Sequence, residues 1–81
     1  MKDIDRSEFL EKLKTTVTIK CYYPNALAGD LLYHILAIYD DAEVAVKYFG
    51  RHKQWWHFTF YSVEVLFQFY QNGWIELRGE K

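Results

Sequence analysis

The sequence predicts a single α+β domain over residues 1–81, with an antiparallel sheet of about four to five strands in a meander, an N-terminal helix and a helix near the C-terminus. Two observations predict this class. Several short segments alternate apolar and polar side chains, as half-buried strands do. Two other segments carry helix-start signals followed by apolar residues at helical spacing. The length suits one domain.

The first helix is predicted over residues 6–14. Asp5 stands at a capping position and Glu8 follows three residues later, which is the spacing of a capping box. Ile4 and Phe9 occupy the flanking positions of a hydrophobic staple. The apolar stripe of this helix is narrow, which predicts a helix that docks on a sheet. A strand is predicted next, over residues 16–23, where apolar and polar side chains alternate.

Residues 26–41 support two interpretations. An apolar stripe at helical spacing runs through the segment and consists of Leu27, Leu31, Ile35 and Ile38. A helix here would give the βαββαβ order of a ferredoxin-like fold. Residues 31–39 also read as a nearly continuous apolar run, which is typical of a central strand. Because Gly29 and Asp30 are poor inside a helix, the strand is the favoured interpretation.

Residues 43–49 and 55–61 alternate again and are predicted to form a hairpin, entered through a turn at Asp40 and Asp41. The second of these strands carries large rings on one face. The rings predicted to face the core are Phe9, Phe58, Phe60 and Phe69.

The second helix is predicted to begin after Ser62, a capping residue, and to end at Asn72 and Gly73. Its polar stripe is narrow and consists of Glu64, Gln68 and Gln71. The helix is therefore either wedged between the sheet and another element or forms half of an interface. A short final strand is predicted to follow, over residues 74–78.

Aromatic residues make up 20% of the chain and hydrophobic residues 51%. A small domain has a high ratio of surface to volume, so we expect some rings at the surface, where aromatic patches mark interaction sites. The net charge of −1 is unlike that of a typical DNA-binding module. Cys21 is the only cysteine, which predicts a reducing, cytoplasmic setting. No apolar run reaches the roughly 20 residues of a membrane span.

The sequence shows no arrangement typical of catalysis. Cys21 lies on the apolar face of a strand and is interpreted as a core residue. His52 and His57 flank a loop–strand junction and His34 is remote, so no metal site is predicted. The glycines stand singly, which does not fit a phosphate-binding loop. We expect a non-enzymatic domain without a cofactor.

The predicted function is protein binding, together with self-association, through the hairpin tip and the second helix. Basic residues beside rings suit a protein hot spot. The predicted partner-binding residues are Arg51, His52, Lys53, Trp55, Val63, Phe67 and Tyr70. The alternative is binding of single-stranded nucleic acid, in which cations follow phosphates and bases stack on rings. Its predicted residues are Arg51, Lys53, Trp55, Tyr22 and Tyr61.

The segment YFGRHKQWWHF, residues 48–58, combines aromatic and basic residues and contributes most to a resemblance. With it, the chain is similar to small accessory proteins of phages and mobile elements, which are short, aromatic-rich, near-neutral domains with a capped N-terminal helix and a small antiparallel sheet. No defined motif carries this resemblance, so it implies no residue roles. It implies that the protein binds and modulates a host or partner protein.

Overall fold

The computed structural model of the chain describes residues 4–22, 31–50 and 55–80. Within these ranges the chain forms two helices and five strands. In chain order they are α1 (Arg6–Thr15), β1 (Thr18–Cys21), β2 (Leu31–Tyr39), β3 (Glu43–Phe49), β4 (Trp56–Ser62), α2 (Val63–Gln71) and β5 (Ile75–Arg78). Neither helix is long and apolar enough to cross a membrane.

The strands form one antiparallel sheet in the order β4-β3-β2-β1-β5. Strands β1 to β4 are a meander, and α2 then carries the chain back so that β5 pairs with β1. The predicted α+β class is confirmed. Because residues 31–39 form a strand, the ferredoxin-like alternative is wrong; residues 26–30 of that segment lie outside the described part of the chain.

Strand β2 contains a β-bulge, where the register with β3 shifts between Ile35 and Ala37. A bulge adds one residue to one strand and resets the alternation of its side chains. As a result Ile35 and Ile38, three residues apart, both pack against the core. This spacing also explains why the segment imitates a helical stripe.

Helix α1 begins with the predicted cap, since the backbone N–H of Glu8 donates to Asp5 Oδ1 at 2.8 Å. The helix packs into the core through Phe9 and Leu13, which are fully buried. An exposed ion pair between Arg6 and Glu64 links it to α2. Exposed pairs of this kind contribute little to stability, so the buried side chains hold α1 in place.

Helix α2 is capped at both ends. The Ser62 hydroxyl accepts a hydrogen bond from the backbone N–H of Val65 at 3.1 Å. At the other end, the N–H of Trp74 donates to the carbonyl of Phe69 at 2.9 Å, and Gly73 has a φ of 76°. This is a Schellman motif, with the Phe69 and Trp74 rings in contact at 5.5 Å.

The core lies between the two helices and one face of the sheet. Its buried members are Phe9, Leu10, Leu13, Ile19, Cys21, Val44, Val46, Val63, Leu66 and Ile75. The expectation that Phe58 and Phe60 face this core is wrong, because their side chains are 69% and 60% exposed. The cause is the register of β4 with β3. Val44 and Val46 face the helices, and they pair with Tyr61 and Thr59, so the β4 rings point the other way.

Candidate functional site: the open face of the sheet

The face of the sheet opposite α1 and α2, called the open face here, carries large exposed apolar side chains. They belong to β2, β3 and β4. On these strands the exposed large side chains are Leu32, Leu36 at the bulge, Tyr39, Phe49, Trp56, Phe58 and Phe60. Soluble monomers rarely expose a contiguous apolar patch larger than a few hundred Å², so the open face is the candidate interaction surface of this chain.

Trp56 is the centre of the ring contacts on this face. Its ring meets that of His34 at 5.5 Å and that of Phe49 at 5.6 Å, both edge to face. The Lys47 ammonium lies 4.7 Å from the centroid of the Trp56 ring, a cation–π geometry. Trp56 is thus fixed from two neighbouring strands, whereas Phe58 next to it on β4 stands largely free.

The half of the open face formed by β1 and β5 is polar. The hydroxyl of Tyr22 donates to Glu76 Oε2 at 2.8 Å and accepts from Arg78 at 2.8 Å. The hydrogen bond to Glu76 raises the pKa of the Tyr22 hydroxyl. Here the cationic and anionic groups of Arg78 and Glu76 pair with each other, whereas the half on β2 to β4 exposes large apolar side chains.

The apolar half of the open face carries one charge of each sign on β3. These are Glu43 and Lys47, which stand on either side of Ala45 with their side chains on the same face. In a β-strand, residues two apart share a face. The charge of the apolar half is therefore balanced along a single strand.

A small apolar cavity of about 190 Å³ lies on the other side of the sheet, between the sheet and α2. Its polar wall groups include Cys21, which is a buried free cysteine, and the hydroxyls of Tyr33 and Tyr61. Tyr61 donates to the Tyr33 hydroxyl at 3.2 Å. Burial, and next the hydrogen bond with Tyr61, raises the pKa of the Tyr33 hydroxyl. None of the described residues that line the cavity is an Asp, Glu, Lys or Arg.

The predicted partner-binding residues that the structure describes do not form one exposed surface. Arg51, His52 and Lys53 lie outside the described residues, and Trp55 is 57% exposed at the start of β4. Val63 is fully buried, so the expectation that it offers surface to a partner is wrong.

Two further residues of that set lie between the helices rather than on a free surface. The rings of Phe67 and Tyr70 contact the Phe9 ring at 5.4 Å and 5.1 Å. Of the two interpretations of α2, the structure supports the helix wedged between α1 and the sheet. The wide apolar surface of α2 is explained by packing on both sides.

Three of the residues predicted for nucleic-acid binding are described by the structure, and these three do not share a surface; Arg51 and Lys53 lie outside the described residues. Tyr22 lies on the polar half of the open face. Tyr61 is half-buried on the helix side, where it contacts Tyr33, so the expectation that it is an outward ring is wrong. Trp55 contacts His57 at a centroid distance of 6.3 Å, and His57 pairs with Tyr48 on the helix side as well.

Sequence reasoning missed the rings of the open face as a binding surface. Trp56, Phe58 and Phe60 were grouped on one face of β4, but that face was assigned to the core because it is the more apolar one. The signal that could have identified the core face of β4 lies in β3, the strand with which it pairs. Val44 and Val46 are the β-branched side chains expected in a core, and antiparallel pairing with β3 puts their neighbours on β4 on the same face.

Among the described residues, no group of three or more His, Cys, Asp or Glu side chains could hold a metal ion. Comparison with known proteins gives no match: no family model, no curated protein and no solved structure matches this chain. The open face is therefore the candidate functional site of this chain.

Proposed function

We propose that this chain is a non-enzymatic protein-binding domain, an accessory or modulator protein that acts through protein–protein contacts made by the open face. The observation that carries the proposal is the exposure of Phe58 and Phe60 beside Trp56 on one face of β4. Aromatic residues are enriched at protein interfaces, where rigid rings bury large areas at a small cost in conformational entropy.

The area of the surface supports this function. At their exposed fractions, the large side chains of the open face offer on the order of 800 Å², taking about 150–250 Å² for each ring. A specific protein interface buries about 800 Å² on each partner. The open face is thus large enough for a stable complex without any contribution from the helices.

The charges of the open face favour a protein over a nucleic acid. A surface that binds single strands combines rings with cations that follow the phosphates. Among the described residues of the apolar half, Lys47 is the cation, its ammonium lies over Trp56, and Glu43 on the same strand balances it. The buried free Cys21 supports a reducing, cytoplasmic location for the complex.

The test is affinity capture from the native host followed by mass spectrometry, with two matched variants. Phe58→Ser combined with Phe60→Ser removes the most exposed rings of the open face. Val65→Ser removes an exposed apolar side chain from α2, away from that face. We expect the protein partner to be lost with the double variant and retained with Val65→Ser, while both variants keep the wild-type circular dichroism spectrum.

Two outcomes contradict the proposal. One is a partner that the double variant captures as well as the wild type. The other is capture that nuclease abolishes and that weakens steeply with salt, which is the behaviour of phosphate contacts and would assign the open face to single-stranded nucleic acid.

A further inference from the structure

We propose that the open face binds a second copy of this chain, so that two sheets pack face to face in a symmetric dimer. This inference rests on the proposed function, because it names the partner of the same surface. A two-fold dimer uses one patch on both copies, and that patch must be complementary to itself. Three features of the open face meet this condition.

The first feature is the row of paired residues that crosses the middle of the apolar half. Ala37 pairs with Ala45, and Ala45 pairs with Phe60. A two-fold axis that runs along this row places β3 of one copy antiparallel over β3 of the other. Because the side chains of the two alanines are small, the sheets can approach each other there to the spacing of about 10 Å at which stacked sheets pack.

The second feature is charge. Glu43 and Lys47 lie two residues before and after Ala45, on the same face of β3. Rotation about the axis puts Glu43 of each copy over Lys47 of the other, which forms two equivalent ion pairs. A single cation and a single anion placed symmetrically about a small residue are self-complementary, which a surface for an unrelated partner does not require.

The third feature is the unequal bulk of the two halves of β4. Phe58 lies opposite Lys47 on β3 and Ser62 lies opposite Glu43, so the same rotation brings the Phe58 ring of one copy over Ser62 of the other. Ser62 is small, and its hydroxyl is already bonded to the N-terminus of α2. The exposed ring therefore meets a shallow part of its partner.

The experiment is sedimentation of the purified full chain over a range of concentrations, with charge-swap variants. The wild type is expected to form a species of twice the 9.8 kDa chain mass at micromolar concentration. Glu43→Lys and Lys47→Glu alone each place like charges opposite each other, and each should raise the dimer dissociation constant about tenfold or more. The double variant Glu43→Lys/Lys47→Glu restores both pairs and should dimerise nearly as tightly as the wild type.

Two further variants test the face itself independently of the charges. Phe60 lies on the proposed two-fold axis, so Phe60→Arg places two like charges against each other and should give a monomer. Val65→Arg on α2 should leave the dimer intact. Circular dichroism confirms that each variant is folded. A folded Phe60→Arg chain that still dimerises overturns the proposal, and so does a charge-swap double variant that is as weak as its two parents.

The failure of this inference is distinguishable from that of the proposed function. A wild-type chain that is monomeric at high micromolar concentration, yet captures a host protein through Phe58 and Phe60, overturns the dimer and leaves the protein-binding function standing. A monomer that captures no protein overturns both. Nucleic acid bound through the open face by a monomer also overturns both.

Discussion

Phe60 lies directly opposite Ala45 in the β3–β4 register, so a ring that is mostly exposed stands beside a buried methyl group in the middle of the open face. The relationship shows that β4 contributes to the fold through its other side chains. Tyr61 packs against the core, while Phe58 and Phe60 do not. The effects of substitutions on stability and on binding should therefore separate.

Replacing Phe58 tests this separation directly. Phe58→Thr removes a ring that is already in water and supplies a good strand former, so the free energy of unfolding should change by about 1 kcal/mol or less. Phe9→Ala removes a fully buried ring and should cost about 3–5 kcal/mol. Urea unfolding at low protein concentration measures both without a contribution from self-association. Equal losses for the two variants would mean that Phe58 is a core residue.

Much of the fold could be predicted because its signals are local. Asp5 and Ser62 accept the hydrogen bonds from Glu8 and Val65 that their capping positions predict. The helix of residues 6–14 is longer than predicted by one residue, and the first strand is confined to Thr18–Cys21. Ends of elements depend on neighbours that local patterns do not contain.

The candidate site could not be predicted because it depends on which face of β4 the helices cover. Alternation shows that β4 has two faces, and the face with Trp56, Phe58 and Phe60 is the more apolar. The choice is made by Val44 and Val46 on β3, whose register with β4 is a tertiary fact. The bulge between Ile35 and Ala37 is likewise invisible in a pattern of strict alternation.

The turn between β2 and β3 gives a second prediction. The N–H of Ala42 donates to the carbonyl of Tyr39 at 2.9 Å, and Asp40 between them has a φ of 52°. Aspartate tolerates this left-handed conformation better than alanine does, and glycine adopts it without strain. Asp40→Ala should therefore lower the free energy of unfolding by about 1 kcal/mol, while Asp40→Gly should be at least as stable as the wild type. Thermal and urea unfolding rank the stabilities of the three proteins. An Asp40→Ala variant as stable as the wild type would contradict the turn geometry.

The C-terminus of α2 gives a third prediction, in which contacts with other parts of the chain play no part. Gly73 has a φ of 76°, and a Cβ built there meets nothing within 4 Å. Gly73→Ala should lower the free energy of unfolding by about 1 kcal/mol through backbone strain alone. Gly73→Asn should lose less, since asparagine enters the left-handed region more readily. If both variants unfold at the same urea concentration as the wild type, the Schellman motif is not the end of this helix.

The partly buried Tyr33 hydroxyl makes stability depend on pH in the alkaline range. Burial first, and then the hydrogen bond with Tyr61, raises the pKa of the Tyr33 hydroxyl above the ordinary tyrosine value of about 10. Above that pH the unfolded chain releases the Tyr33 proton while the folded chain keeps it, so the unfolded state binds fewer protons. The stabilisation is thus fully present below about pH 10 and is lost as the pH rises further. Because Tyr33 is only half-buried, the fall should be shallower than the ~1.4 kcal/mol per pH unit of a fully retained proton.

Two phenylalanine variants assign this alkaline loss to its source. Tyr33→Phe removes the titrating hydroxyl and should flatten the fall of unfolding free energy with pH. Tyr61→Phe removes the hydrogen bond and the charge interaction of Tyr61 but leaves burial, the largest cause of the raised pKa, so it should flatten the curve by a smaller amount. Urea unfolding measured across the alkaline range, with tyrosinate absorbance recorded in parallel, gives both slopes. A Tyr33→Phe variant has no Tyr33 hydroxyl proton to release. If it keeps the wild-type slope, another group is responsible for the alkaline loss of stability.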